Sequence, residues 1–285
     1  MKILLLGKSG MLGSYFLKLL TGSNDFEVFA YDYDTLDITN PESLAKTFDE
    51  VRPFFVINCA AYTAVDDCEK NPELAFKVNG HAVGEIASQC KKYNSILIHF
   101  GTDYIFNGEK ESGYKEDGEI PDPINVYGES KLLGESLIFK NTDKFYLVRT
   151  AWLYGPNGKN FVDTMLELAK TKTSLDVVDD QIGCPTYTKD LAEAVIHNFI
   201  ESYVDGGKNV PFGVYHLTNS GHCSWNEFAR KIFEIFGKSI VVNKVTSDKF
   251  PRPAKRPHYS ILLNTKLPST TSWQEGLKNY LSLKF

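Results

Sequence analysis

Tyr127 and Lys131 stand four residues apart in the segment Asn125-Val126-Tyr127-Gly128-Glu129-Ser130-Lys131. On a helix that spacing puts both side chains on one face, a turn apart. A phenol alone is a poor acid near neutrality, with an unperturbed pKa of about 10. A neighbouring ammonium favours the phenolate and pulls that pKa toward working pH. The pair can then pass a proton to or from a carbonyl or alcohol oxygen. Tyrosine and lysine at this spacing also occur on ordinary solvated helix faces, so the meaning of the pair rests on the elements around it.

Those elements begin at residue 2. Lys2-Ile3-Leu4-Leu5-Leu6 is a short apolar run that suits a strand buried on both faces. Gly7-Lys8-Ser9-Gly10-Met11-Leu12-Gly13 follows, and a helix is expected from Ser14 to about Leu20. Strand, glycine turn and helix in this order set backbone N–H groups and a helix N-terminus against a pyrophosphate. Gly7-Lys8-Ser9 invites a phosphate-loop reading, which fails because Lys2 stands where that loop needs its first glycine. A second strand, Phe26–Tyr31, ends at Asp32, placed to accept hydrogen bonds from an adenosine ribose, with Asp34 a rival. A third, Phe54–Ala61, follows a helix around 41–51, and its small last residues would let a cofactor lie near the backbone.

Further on, the pattern predicts a helix over 73–92, a strand Ile96–Phe100, the helix bearing Tyr127 and Lys131, and a strand Phe145–Arg149. The alternation predicts an α/β fold, a Rossmann-type doubly wound parallel sheet with its ligand at the strand carboxyl ends. Residues 1–150 are expected to form the dinucleotide-binding domain. A helix over 187–203 and a strand Val214–Leu217 are expected to return to it. Residues 151–186 and 218–285 are expected to form a smaller α/β substrate-binding domain. Within it Ser224–Phe236 reads as an amphipathic helix with a Ser224/Glu227 capping box, and Phe250–Pro257 as a loop. Thr102, just past the fourth strand, is expected beside Tyr127, where its hydroxyl could serve the same substrate oxygen.

Composition bounds the rest. With 285 residues, 42% apolar and 24% charged, the chain can bury a large core. A net charge of −5 argues against a general nucleic-acid binder. No apolar run reaches membrane-spanning length, and a strand starting at Lys2 leaves no room for a signal peptide, so a cytoplasmic protein is expected. Five cysteines and six histidines are scattered without paired or metal-ligand spacing, so thiols and no metal site are expected.

Taken together, the sequence resembles the dTDP-4-dehydrorhamnose reductase family of the extended short-chain dehydrogenase/reductase superfamily. The resemblance covers nearly the whole chain. It rests on the glycine turn, the Tyr127–Lys131 pair, Asn58-Cys59-Ala60-Ala61-Tyr62-Thr63-Ala64-Val65-Asp66, Thr102-Asp103-Tyr104-Ile105-Phe106, Arg149-Thr150-Ala151-Trp152-Leu153-Tyr154-Gly155, Asp180-Gln181-Ile182-Gly183-Cys184-Pro185-Thr186 and Arg256-Pro257.

The resemblance implies NADPH- or NADH-dependent reduction of the C4 keto group of a deoxy-sugar nucleotide. It makes Tyr127 the proton donor, Lys131 its activator and the holder of the nicotinamide ribose, and Thr102 a tuning hydroxyl. Gly10, Met11 and Leu12 would wrap the pyrophosphate, and Gly7 and Gly13 of the same turn would also bind the cofactor. Asp32 would face the ribose, Asp37 and Ile38 the adenine, and Ala60, Ala61, Tyr62 and Thr63 the inner cofactor path. Thr102, Asp103, Tyr104 and Trp152 would contact the sugar nucleotide, and Arg256, in the basic loop Arg252–Pro257, its diphosphate. Gly101 stands where the family often has serine, which touches only a minor hydrogen bond. Some members are thought to bridge a dimer through magnesium held by acids at the start of the first helix. Here that helix opens Ser14-Tyr15, so no such metal is expected; a homodimer stays open. Two other readings stand beside the reductase: another sugar-nucleotide reductase or epimerase of the superfamily, and a non-catalytic binder resembling the methionine adenosyltransferase regulatory subunit. A 4,6-dehydratase would need an acid where Tyr104 stands.

Overall fold

A computed structural model describes residues 1–207 and 209–284; Lys208 and Phe285, inside the expected ranges 187–217 and 218–285, lie outside the described residues. The first part runs β1 (Lys2–Leu6), α1 (Gly13–Thr21), β2 (Glu27–Tyr31), α2 (Pro41–Val51), β3 (Phe55–Asn58), α3 (Val65–Lys70), α4 (Pro72–Ala75), a π turn (Phe76–His81), α5 (Ala82–Tyr93), β4 (Ile96–Thr102), α6 (Val126–Asn141) and β5 (Phe145–Thr150). The second runs β6 (Leu153–Tyr154), α7 (Phe161–Leu168), β7 (Ser174–Val178), β8 (Ile182–Gly183), β9 (Thr186–Tyr187), α8 (Thr188–Phe199), α9 (Glu201–Asp205), β10 (Gly213–His216), β11 (Cys223–Ser224), α10 (Trp225–Phe236), β12 (Val241–Val245) and α11 (Trp273–Leu281).

Six strands pair in parallel in the order β10, β5, β4, β3, β1, β2. The unbroken apolar runs take the inner places: β3 and β4 are buried along their whole length, whereas β2, with only partly covered residues, is an edge. Alternate residues feed opposite faces. Leu4, Val56, Leu97 and Leu147 meet Phe48, Ile86 and Ile138 of α2, α5 and α6 on one face. Ile3, Ile57, Ile98 and Val148 meet Phe16 of α1 and Val195 and Phe199 of α8 on the other, and this core runs on through Tyr154, Phe228 and Tyr280. The chain reverses direction across the sheet between β1 and β3, so a crevice opens at their carboxyl ends.

Three elements differ from the pattern. The helix expected over 73–92 is broken by the π turn, which swings Asn79 inward. There Asn79 accepts from Tyr62 N–H at 2.8 Å and donates to Tyr62 C=O and Ser130 Oγ, each at 3.0 Å. The strand expected to reach Ala61 stops at Asn58, whose Oδ1 takes the Ala60 N–H at 3.1 Å and ends the ladder. The helix expected over 187–203 divides at Ile200. The Ser224/Glu227 capping box forms, and Gly237 closes α10.

Candidate active site

After β1 the chain doubles back so that Gly7 and Lys8 N–H both donate to Tyr31 C=O, at 2.8 and 3.2 Å. Gly7 has φ +80°, and a Cβ there would lie 2.8 Å from Ala60 N. A Cβ at Gly13 would lie 1.9 Å from Gly7 O. Packing within the chain therefore demands these two glycines. Gly10 is different: its nearest neighbour would be Gly7 O at an ordinary 3.6 Å. A side chain there would fill the groove beside the start of α1, which has no side-chain cap and no acid in its first turn. This is the cradle a pyrophosphate needs.

The groove encloses about 910 Å³, and Gly7, Gly10, Asp32, Asp34, Asp37, Ile38, Ala60, Ala61 and Tyr62 line it. Asp32 Oδ1 accepts from Ser9 N–H at 3.1 Å, while Asp37 is engaged by Thr39 at 2.7 and 2.9 Å. Leu12 buries its side chain in the core, and Met11 leans toward Gly158, so neither side chain lines the groove. Thr63 lines a second cavity, of about 640 Å³, with Asp66, Lys159, Arg252 and Arg256. The exposed Lys77, which the sequence reading missed, stands on the groove wall. The residues present fit a dinucleotide.

Tyr127 and Lys131 lie on α6. Its N-cap Asn125 accepts from Gly128 N–H at 2.8 Å and donates to Lys255 C=O at 2.9 Å. Gly128 lets the helix rest on the turn Asp103–Ile105 after β4: a Cβ there would lie 2.2 Å from Tyr104 O. The Tyr104 and Tyr127 rings consequently meet edge to face, 5.9 Å apart. Thr102 Oγ1 donates to Asp103 Oδ1 at 3.0 Å and accepts from Tyr104 N–H at 3.2 Å, and it stands beside the Tyr127 phenol, whose pKa it lowers. Thr102, Asp103, Tyr104 and Tyr127 thus gather at the carboxyl end of β4.

Burial sets the electrostatics here. It pushes the Tyr127 phenol well up; Thr102 pulls it back, and Asp103 and Cys68 push it further. A phenol so raised stays protonated near neutrality, the form needed to give a proton to a carbonyl. Burial lifts the Asp103 carboxyl to about 6, against the Ser260 and Thr102 hydroxyls. It lowers Lys131 to about 8, against Glu135 and Cys59. The Lys131 ammonium is spent on Phe100 C=O, at 2.6 Å, so the group that lowers the phenol in this structure is Thr102.

Trp152 has φ +46°, and its indole stacks on Trp225 with centroids 3.5 Å apart. Gly183 makes room for it, since a Cβ there would lie 2.4 Å from the ring. Arg256 is not a free cation: it donates to Asp66 and to Ala254 C=O, and it reaches the Tyr104 hydroxyl. Its hydrogen bond holds the Asp66 carboxyl below the usual range. Arg256 therefore links the second cavity to the tyrosine cluster.

Beneath Lys131 lies a pair the sequence did not announce, Glu135 with Arg149. The positions are fourteen apart, and only β5 packing beside α6 joins them. A Cβ at Gly101 would lie 2.6 Å from Glu135 Oε1 and 3.0 Å from Arg149 Cγ. Glycine instead of serine here thus bears on a buried ion pair, and not only on a minor hydrogen bond.

Residues 1–284 match the model of the RmlD substrate binding domain family. It is 40% identical over 284 residues to the spore coat polysaccharide biosynthesis protein SpsK of Bacillus subtilis, covering 98% of this chain and 96% of that one. A dTDP-4-dehydrorhamnose reductase from Clostridium acetobutylicum is 42% identical, with a TM-score of 0.92 and coverage of 100% and 99%. The Bacillus anthracis dTDP-4-dehydrorhamnose reductase, solved in complex with NADP, is 36% identical, with a TM-score of 0.92 and 99% of each chain covered. With relatives this similar over nearly its full length, the chain belongs to the dTDP-4-dehydrorhamnose reductase family.

Proposed function

We propose that this chain reduces the C4 keto group of a deoxy-sugar nucleotide, dTDP-4-dehydro-L-rhamnose, to the alcohol of dTDP-L-rhamnose, using NADPH or NADH. The observation that carries the reading is the meeting of Thr102, Asp103 and Tyr127 at the carboxyl end of β4, with Arg256 of the second cavity reaching Tyr104 beside them. The reduced nicotinamide, when bound, supplies the hydride that the carbonyl carbon takes up. Tyr127 gives its phenolic proton to the carbonyl oxygen. Thr102 orients that oxygen, and Lys131 holds positive charge beneath the site for the phenolate left behind. Residues 1–150 with 187–217 serve the cofactor; residues 151–186 and 218–285, with Trp152 and Arg256, serve the sugar nucleotide.

The test is oxidation of reduced nicotinamide in the presence of a panel of 4-keto sugar nucleotides, with product stereochemistry read by NMR. Tyr127→Phe keeps the ring and removes the proton donor. A fall in kcat of about a hundredfold or more is expected, with cofactor affinity little changed. Near-normal turnover of the variant would refute the assignment.

A further inference from the structure

His99 is a titratable group that the reduction chemistry leaves unused. It lies on β4, 1% exposed, between Asn58 of β3 and Lys131 of α6. Asn58 Nδ2 is 3.1 Å from His99 Nδ1, and His99 Nε2 is 3.5 Å from Lys131 Nζ. The Asn58 amide cannot be turned over. Its Oδ1 takes the Ala60 N–H, and reversal would set two donors face to face. Asn58 Nδ2 is therefore a donor, and Nδ1 must accept. Burial and the Lys131 charge keep the ring neutral. A neutral imidazole with an accepting Nδ1 carries its hydrogen on Nε2. That hydrogen points at the lysine nitrogen.

The consequence runs against the simple picture of a histidine supporting an ammonium. Nε2–H cannot accept from an ammonium, and the 3.5 Å separation is long beside the 2.6 Å bond from Lys131 to Phe100 C=O. It can donate to the lone pair of an amine. We infer that His99, its tautomer fixed by Asn58, is a positioning residue that loosens the hold of Lys131 on its proton, so that the Lys131 ammonium gives that proton up more readily once Tyr127 stands as the phenolate, and is left as the amine. The other groups facing Lys131 are Glu135 one turn along α6, itself held by Arg149 of β5, and Cys59 after β3, with Tyr127 one turn back. Burial disfavours the ammonium, and Glu135 and Cys59 favour it; the N–H that His99 aims at Lys131 would act in the opposite sense to those two neighbours. The same Asn58 side chain holds Ala60 on the groove wall, which ties the cofactor floor to the charge state of Lys131.

The inference rests on the carbonyl-reduction reading for its purpose, but its test needs no substrate. ¹⁵N NMR of the histidine ring in the wild-type protein should show His99 Nδ1 bare and Nε2 protonated across neutral pH; the opposite tautomer would overturn the inference without any variant. ¹³C NMR at Lys131 Cε then follows the lysine titration directly. In His99→Phe the ring keeps its bulk, loses that N–H and brings no acceptor to the ammonium. The Lys131 midpoint should rise by about one pH unit, and the alkaline limb of kcat should move up with it. A midpoint that stays or falls overturns the inference, whereas a histidine of purely structural use would leave it in place. If the wild-type protein reduces no 4-keto sugar nucleotide while both NMR results hold, it is the reduction reading that fails.

Discussion

Glu135 receives three hydrogen bonds from Arg149, at 3.2, 3.2 and 2.8 Å, and both side chains are almost wholly buried. A buried pair of this kind tolerates little displacement, because moving either partner leaves a desolvated charge. Gly101→Ser drives a Cβ into Glu135 Oε1, and Arg149 pins that carboxylate in place. Thermal or urea unfolding should show a loss of about 1–3 kcal/mol. Unchanged stability would mean that the pair relaxes freely.

Asp103→Asn tests the buried carboxyl beside Thr102. Its folded pKa of about 6 lies above the ordinary carboxyl value of 3.8, so the native state binds the extra proton between those values. Wild-type stability should therefore fall as pH rises from about 4 to about 6, and the penalty is complete above 6. The amide variant carries no such penalty. It should be more stable than wild type by about 1–3 kcal/mol at pH 8 and near parity at pH 4, with activity reduced. Melting curves at the two pH values decide it.

Cofactor choice turns on Asp32. Lys8, the obvious counter-charge, donates to Ala30 C=O at 3.3 Å, which leaves it little reach to a 2′-phosphate. Two unit charges 4 Å apart interact by about 1 kcal/mol in water, so kcat/KM for NADH should exceed that for NADPH by about fivefold or more. Asp32→Ala should erase the difference. A strong NADPH preference in the wild type would show Lys77, on the same wall, to outweigh the carboxylate.

Arg256→Ala should raise KM for the sugar nucleotide by about tenfold to a hundredfold, the loss of one charge-assisted contact, and leave KM for reduced nicotinamide nearly unchanged. Asp66→Asn keeps the cation and removes its partner. It should move KM much less. Equal effects of the two variants would assign Arg256 to shaping the loop rather than to the diphosphate.

Sequence periodicity made the sheet and the Tyr127–Lys131 face legible because both depend on spacing within one element. The glycine turn was legible for the same reason, although only the folded chain separates Gly10, which faces the groove, from Gly7 and Gly13, which the chain itself crowds. Contacts between elements left no such mark. Asn58 meets His99 across 41 residues, and Asn79 meets Ser130 across 51. Apolar pattern reports burial and not pairing, so Cys59–Ala61 read as a continuing strand when their groups instead line a crevice.

The placing of β10 beside β5 governs how the molecule comes to exist. Gly213–His216 pairs in register with Tyr146–Arg149, so the ladder along β5 waits for more than sixty residues of further chain. During synthesis, a nascent product ending near residue 150 presents β5 as an open edge, with Tyr146 lacking the Phe199 ring that stacks on it at 4.4 Å. Such an edge invites pairing with another copy. The apolar face of β5 is therefore covered, and its ladder completed, only when α8 and β10 arrive.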